Sequence, residues 1–151
     1  MTETLEGLVA ELRDADKQER GELLIELAEN LAPLPGRFVG RLDPEHLVPE
    51  CLTPVYLFAE LGGDDRVALH AHVPPEALTV RGFVALLIEG LDGARVEEIL
   101  RVPSDLVDRT GIPELVGMQR TAGLPRILRR LKAEVTRAAM ERAANQSPGA
   151  N

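Results

Sequence analysis

Val55-Tyr56-Leu57-Phe58-Ala59-Glu60-Leu61-Gly62-Gly63-Asp64-Asp65-Arg66-Val67-Ala68-Leu69-His70-Ala71-His72-Val73 is the stretch on which the fold turns. In its first limb Val55, Leu57, Ala59 and Leu61 alternate with Tyr56, Phe58 and Glu60. In its second, Val67, Leu69, Ala71 and Val73 alternate with Ala68, His70 and His72. Period two is the signature of a strand, because successive side chains point to opposite faces. Gly62-Gly63-Asp64-Asp65 between the limbs is a turn signal. An antiparallel hairpin follows. Its all-aliphatic face packs on helices, and the face carrying Tyr56, Phe58, His70 and His72 is the wetter one.

On both sides of the hairpin the period lengthens to that of helices. Upstream, Leu5, Leu8, Val9 and Leu12 mark a first helix, and Asp16 is placed to cap a second. That second helix carries the stripe Leu23, Leu24, Leu27, Ala28 and Leu31 and stops at Pro33, Pro35 and Gly36. Arg37 to Glu50 reads as irregular, with a short strand near His46–Val48. Downstream, Pro74-Pro75-Glu76 opens a helix. Residues 77–91 are almost wholly apolar, the mark of a buried central helix, which Asp92-Gly93 ends. Val96–Leu100 is a short helix, and Pro103-Ser104-Asp105 starts another that ends at Thr110-Gly111. Ile112–Gly117 reads as a connector. Residues 121–144 form a long final helix with Leu124, Ile127, Leu128, Leu131 and Val135 as its buried stripe. Two helices, a small antiparallel sheet and then several helices make an α+β fold.

The chain has 151 residues, 44% of them hydrophobic and 28% charged, with a formal net charge of -8. That length suits a single domain, residues 1–144, followed by a polar tail, 145–151, expected to be disordered. Aromatics make up only 3% with no Trp, so Leu, Val and Ile must fill the core. No apolar run reaches the roughly 18 residues of a membrane span. The acidic Met1–Glu11 segment is not a secretory signal, so a soluble cytoplasmic protein with no membrane partner is expected. Of 17 basic and 25 acidic residues, 7 and 2 lie in residues 120–151, which leaves +5 there and -13 in the rest. The overall sign opposes nucleic-acid binding. A solvated face or a docking surface for an acidic protein suits the basic final helix better.

Cys51 is the single cysteine. It excludes an internal disulfide and every multi-cysteine zinc or iron–sulfur site within one chain. Pro49 and Pro54 flank it and deny the segment a helix. A lone cysteine is commonly a small buried hydrophobe. On a stiff loop at a sheet edge it can instead be presented to a partner.

The residues around it carry a resemblance. Leu47-Val48-Pro49-Glu50-Cys51-Leu52-Thr53-Pro54-Val55-Tyr56-Leu57 resembles the cysteine-loop motif of the SufE family, V-x-G-C-x-S-x-V-W. Ala77 to Leu87 is similar to that family's A-x-I-V-K-G-L-x-A-L-L helix, and Val96-Glu97-Glu98-Ile99-Leu100 to its T-P-E-E-I-L segment. Arg120-Thr121-Ala122-Gly123-Leu124 resembles R-x-N-G-L, and Glu22 to Pro35 resembles a helix ending in L-x-x-L-P. These pieces stand in the family's order over about residues 16–138. The chain departs from the family at Glu50, where glycine is usual, and at Leu52, Thr53 and Pro54. Its Val73-Pro74-Pro75-Glu76-Ala77 stands where the family has G-D-S-D-A. A carboxylate at Glu50 close to the thiol would raise the thiol pKa.

The resemblance implies a SufE/IscU-like α+β fold and a monomer that is not itself an enzyme. It implies a sulfur acceptor that serves a pyridoxal-phosphate cysteine desulfurase of the SufS type and stimulates its turnover. Cys51 would take persulfide sulfur and pass it to an iron–sulfur scaffold complex. The acceptor itself would hold no cofactor and no metal. Exchange at sulfur needs a thiolate, and a free thiol with a pKa of about 8.5 is mostly protonated at neutral pH. Arg120, which matches the arginine of R-x-N-G-L, is the candidate stabiliser of that thiolate. Leu47, Val48, Leu52 and Val55 are candidates for an apolar shelter around a carried persulfide, or are ordinary core. Other readings of the residues are a zinc site from Cys51 with two or three of His46, His70 and His72, a cysteine hydrolase using Cys51 with His46 and Asp43, and an interaction module with an inert thiol.

Overall fold

The computed structural model describes residues 1–48 and 53–146. In chain order its elements are α1 (Glu3–Asp14), α2 (Lys17–Glu29), α3 (Gly36–Val39), β1 (Tyr56–Leu61), β2 (Val67–His72), α4 (Leu78–Leu91), α5 (Val96–Leu100), α6 (Leu106–Thr110), α7 (Ile112–Val116), α8 (Met118–Thr121) and α9 (Leu124–Asn145). The architecture is α+β, a two-stranded antiparallel sheet packed among helices, as expected from the hairpin and the helical stripes around it.

The hairpin forms in the simple register, Tyr56 opposite His72 and Leu61 opposite Val67. Its turn places Asp65 at φ 63°, a left-handed conformation that Asp tolerates better than most residues. A lone two-stranded ribbon is marginal in water and exposes two unpaired edges. Here the neighbouring backbone occupies both. On the β2 side the Leu69 N–H donates to Asp92 Oδ1 (2.9 Å), the Val67 N–H to the Ala94 carbonyl (2.8 Å), and the Gly93 N–H back to Val67 (2.8 Å). On the β1 side the Leu57 N–H donates to the His46 carbonyl (2.9 Å). The short strand expected near His46–Val48 is a single antiparallel bridge, Leu47 to Tyr56.

Leu57, Val67, Leu69 and Ala71 are buried on the aliphatic face, as their alternation requires. The opposite face is drier than expected, because Phe58 is buried as well. The reason is α3, which lies in a stretch that reads as irregular in sequence. α3 lays Phe38 against Phe58 with ring centroids 4.7 Å apart, and the His46 ring covers Phe58 from another side at 4.4 Å. On this face His72 and the turn are exposed, while Tyr56, Glu60, Ala68 and His70 are half-buried.

Helix starts follow local chemistry. Thr2 accepts the Leu5 N–H and Asp16 accepts the Glu19 N–H (2.9 Å), which caps α1 and α2. Arg20 then ties the α1 C-terminus down by donating to the carbonyls of Leu12 (2.8 Å), Arg13 (2.8 Å) and Ala15 (3.1 Å). The central helix α4 begins at Leu78. The two prolines expected to open it instead form the preceding turn, in which the Ala77 N–H donates to the Pro74 carbonyl. α1 and α2 both cross α4 closely, and glycines mark the crossings. A methyl group on Gly82 would sit 2.9 Å from the Leu24 carbonyl oxygen, and one on Gly90 would sit 2.9 Å from the Leu5 Cα. Residues 112–117, read as a connector, are mostly the helix α7. The final helix begins at Leu124 rather than at 121, after α8 and Gly123, with Pro125 in its first turn. α9 packs its stripe of Leu124, Ile127, Leu128, Leu131 and Val135 into the core. No helix among the described residues is long and apolar enough to cross a membrane.

Candidate functional site

The chain enters the segment holding Cys51 at Val48 and leaves it through Thr53 and Pro54. The two ends are joined: the Val48 N–H donates to the Val55 carbonyl at 2.8 Å. With the Leu47–Tyr56 bridge and the Leu57 N–H to His46 bond, this makes a paired stem at the edge of β1. Val48 and Val55 are fully buried members of the core, and Leu47 is half-buried. Of the four residues considered as an apolar shelter, these two valines anchor the stem. Leu52, like Pro49, Glu50 and Cys51, lies outside the described residues.

One step back from the stem stands a cluster of buried charge. His46 is 5% exposed and Glu134 of α9 is 3% exposed. Glu134 Oε2 is 2.5 Å from Arg137 Nη2 and 3.4 Å from His46 Nδ1, and its Oε1 is 3.3 Å from Arg130 Nη2. The two arginines reach on to the loop. Arg130 donates to the Glu45 carbonyl, and Arg137 Nη1 pairs with Glu45 Oε1 at 2.7 Å. On the other side of the imidazole, Arg41 Nη2 lies 3.3 Å from His46 Nε2. Beyond the cluster a cavity of about 300 Å³ opens between α9 and β1, floored by Phe38 and Phe58 and walled by Glu60, Arg142 and Asn145.

Arg120 sits in α8, exposed, and its side chain makes no hydrogen bond or ion pair with the described residues. The same holds for Arg126 and Arg129 at the start of α9, where no acidic residue offsets them in the first turn. Arg120, Arg126 and Arg129 are therefore charges available to an approaching surface. The other basic residues of this stretch are engaged: Arg130 and Arg137 as above, Lys132 with the Val102 carbonyl, and Arg142 with the Gly62 carbonyl.

The histidines do not assemble into a zinc site among the described residues. His46 is inside the Glu134 cluster. His70 stacks on Phe38 at 5.1 Å, with Nε2 3.6 Å from Glu60, and His72 lies against Tyr56. The group with metal-like spacing is Asp43, Glu45 and His46. There, guanidinium groups face both imidazole nitrogens and Glu45 is paired to Arg137, so a cation would meet positive charge. Of the Asp43–His46 pair, weighed as part of a hydrolase, His46 is held in the Glu134 cluster, whereas Asp43 Oδ1 is buried with no hydrogen-bond partner among the described residues.

Sequence reasoning missed the role of Glu134, Arg130 and Arg137. One signal is present. Glu134 falls on the apolar stripe of α9, three residues after Leu131 and next to Val135, where a carboxylate is anomalous unless something buried receives it.

The family described as "SufE: Fe-S metabolism associated domain" matches residues 6–135, nearly all of the described fold. The chain belongs to the SufE family. An uncharacterized SufE-like protein of Mycobacterium tuberculosis is 33% identical over 135 residues, covering 89% of this chain and 92% of the relative. A hypothetical protein of Thermus thermophilus, known from its solution structure, superposes with a TM-score of 0.80 at 34% identity. That match covers 93% of this chain and 98% of the other. A Plasmodium vivax protein named cysteine desulfuration protein SufE is 28% identical over 119 residues, 78% of this chain and 46% of the longer relative. This SufE-family chain carries a single cysteine, Cys51.

Proposed function

We propose that this chain is a sulfur acceptor in iron–sulfur metabolism, with Cys51 as the accepting group. The observation that supports the reading is the family match over residues 6–135, with the only cysteine of the chain lying in sequence between the paired Val48 and Val55, in a segment that resembles the family's cysteine-loop motif. The donor is the persulfide of a pyridoxal-phosphate cysteine desulfurase of the SufS type, and the recipient is an iron–sulfur scaffold complex. The desulfurase holds the cofactor, and this chain acts as its accessory. The name of the Plasmodium relative supports that assignment.

The step is a thiol–disulfide type exchange. The Cys51 thiolate attacks the outer sulfur of the donor's Cys–S–SH. A new S–S bond forms on Cys51 as the donor's S–S bond breaks, and the donor cysteine leaves as a thiolate. The outer sulfur keeps its proton, and no external oxidant or reductant is needed. The attacking group must be ionised, so a cation that meets Cys51 in the complex accelerates transfer. Arg120 is the residue we assign to that task. Its exposure and lack of partners among the described residues leave it available. Arg126 and Arg129 add positive charge to the same end of α9 and favour an acidic rim on the partner.

The test is incubation with a cysteine desulfurase and cysteine, followed by intact mass. A gain of one sulfur atom that disappears in Cys51→Ser, with faster desulfurase turnover for the native chain only, is the expected result. No gain and no stimulation overturns the reading.

A further inference from the structure

His46 and Glu134 are the buried ionisable side chains among the described residues. They lie 88 positions apart in sequence, and they meet directly before the stem of the Cys51 segment. Buried ion clusters rarely stabilise a fold more than apolar residues of equal volume would. Glu134 replaces such a residue on the stripe of α9. What the cluster supplies that leucine cannot is direction, because charge-assisted hydrogen bonds define one seat for their partners. Every bond in it bears on the same two residues. Arg130 holds the Glu45 carbonyl, Arg137 holds the Glu45 carboxylate and borders His46 Nδ1, and Glu134 binds both arginines. Both ring nitrogens are held between charged groups: Nδ1 lies 3.2 Å from Arg137 Nη2 and 3.4 Å from the Glu134 carboxylate, and Nε2 lies 3.3 Å from Arg41 Nη2. The His46 carbonyl then receives the Leu57 N–H, and two residues later Val48 pairs with Val55.

We infer that Glu134, held by Arg130 and Arg137, is a positioning residue for sulfur transfer: it seats Glu45 and His46 on α9 and thereby fixes where the chain leading to Cys51 begins. The inference rests on the reading of Cys51 as acceptor. Attack on a persulfide requires the three sulfur atoms in line, and displacement of reacting groups by about 1 Å can cost on the order of a hundredfold in rate. Loss of the seat therefore slows transfer without removing the thiol or unfolding the domain.

The experiment compares the native chain with Glu134→Leu and Glu134→Gln. Single-turnover sulfur gain by intact mass is followed as a function of desulfurase concentration. Amide hydrogen exchange is measured at Val48 and Leu57 and, for reference, in the α4 core at Leu86. In Glu134→Leu the maximal transfer rate falls about tenfold or more, while the half-saturating desulfurase concentration stays within about twofold of native. Val48 and Leu57 exchange faster, and Leu86 does not change. Glu134→Gln keeps an acceptor oxygen for Arg137 and recovers part of the rate. Native transfer rates in both variants overturn the inference, and so does a loss of rate accompanied by faster exchange at Leu86 as well. Should Glu134→Leu fail to fold, Glu134→Gln alone decides between a lowered rate with local exchange and a native rate. A native chain that gains no sulfur brings down the acceptor reading itself. A native chain that gains sulfur alongside unaffected variants brings down only the role of Glu134.

Discussion

Gly82→Ala separates two opposing effects at one position. Gly82 stands inside α4, where alanine is favoured over glycine by about 1 kcal/mol through backbone entropy alone. Against that stands the crossing with α2. The added methyl would lie 2.5 Å from Leu24 Cδ1 and 2.9 Å from the Leu24 carbonyl oxygen. The side-chain contact can be relieved by a rotamer change costing about 0.5–1.5 kcal/mol. The carbonyl is backbone and moves only if α2 itself moves, and overpacking of this kind costs about 1–3 kcal/mol. Packing outweighs propensity, and the net destabilisation is about 1–2 kcal/mol. For a chain of this length each kcal/mol shifts Tm by about 2–4 °C, so Gly82→Ala melts about 2–8 °C below native. Gly7→Ala is the control. Gly7 lies in α1 with nothing within 4 Å of the new methyl, so only the propensity gain remains and Tm rises by about 2–4 °C. Thermal unfolding of the three proteins in one buffer gives the answer. A Gly82→Ala protein at least as stable as native, beside a stabilised Gly7→Ala, would refute the reasoning and show that α2 and α4 are not in close contact there.

Three further outcomes follow from the site and its surroundings. Arg120→Ala should change stability by less than about 0.5 kcal/mol, since the side chain is exposed, yet lower the rate of sulfur gain on Cys51; an unaffected rate removes Arg120 from the transfer step. Arg126→Glu combined with Arg129→Glu should weaken association with the desulfurase and flatten its salt dependence, as titrations at low and high ionic strength would show. Asp92→Ala removes the acceptor for the Leu69 N–H on the outer edge of β2. It should cost about 1 kcal/mol in urea unfolding and speed exchange of that amide above its neighbours.

The parts of this molecule legible in its sequence are those whose cause is local. The hairpin is visible because alternation and its turn are contiguous in the chain. The caps at Thr2 and Asp16 act within three residues, although only Asp16 stands out before the structure is seen. The buried character of α4 follows from its composition, and the single cysteine, Cys51, is read directly. The boundaries that shifted, at Leu78, Ile112 and Leu124, lie where prolines and short turns compete and packing chooses between them.

From the order of residues alone come the α+β class, the single thiol, and the gathering of positive charge in residues 120–151. Folding in three dimensions added that α3 covers Phe58, that glycines let α1 and α2 approach α4, and that Glu134 meets His46. Each of these joins residues distant in the chain, and which partner a buried carboxylate or an open strand face receives depends on the packing of the whole.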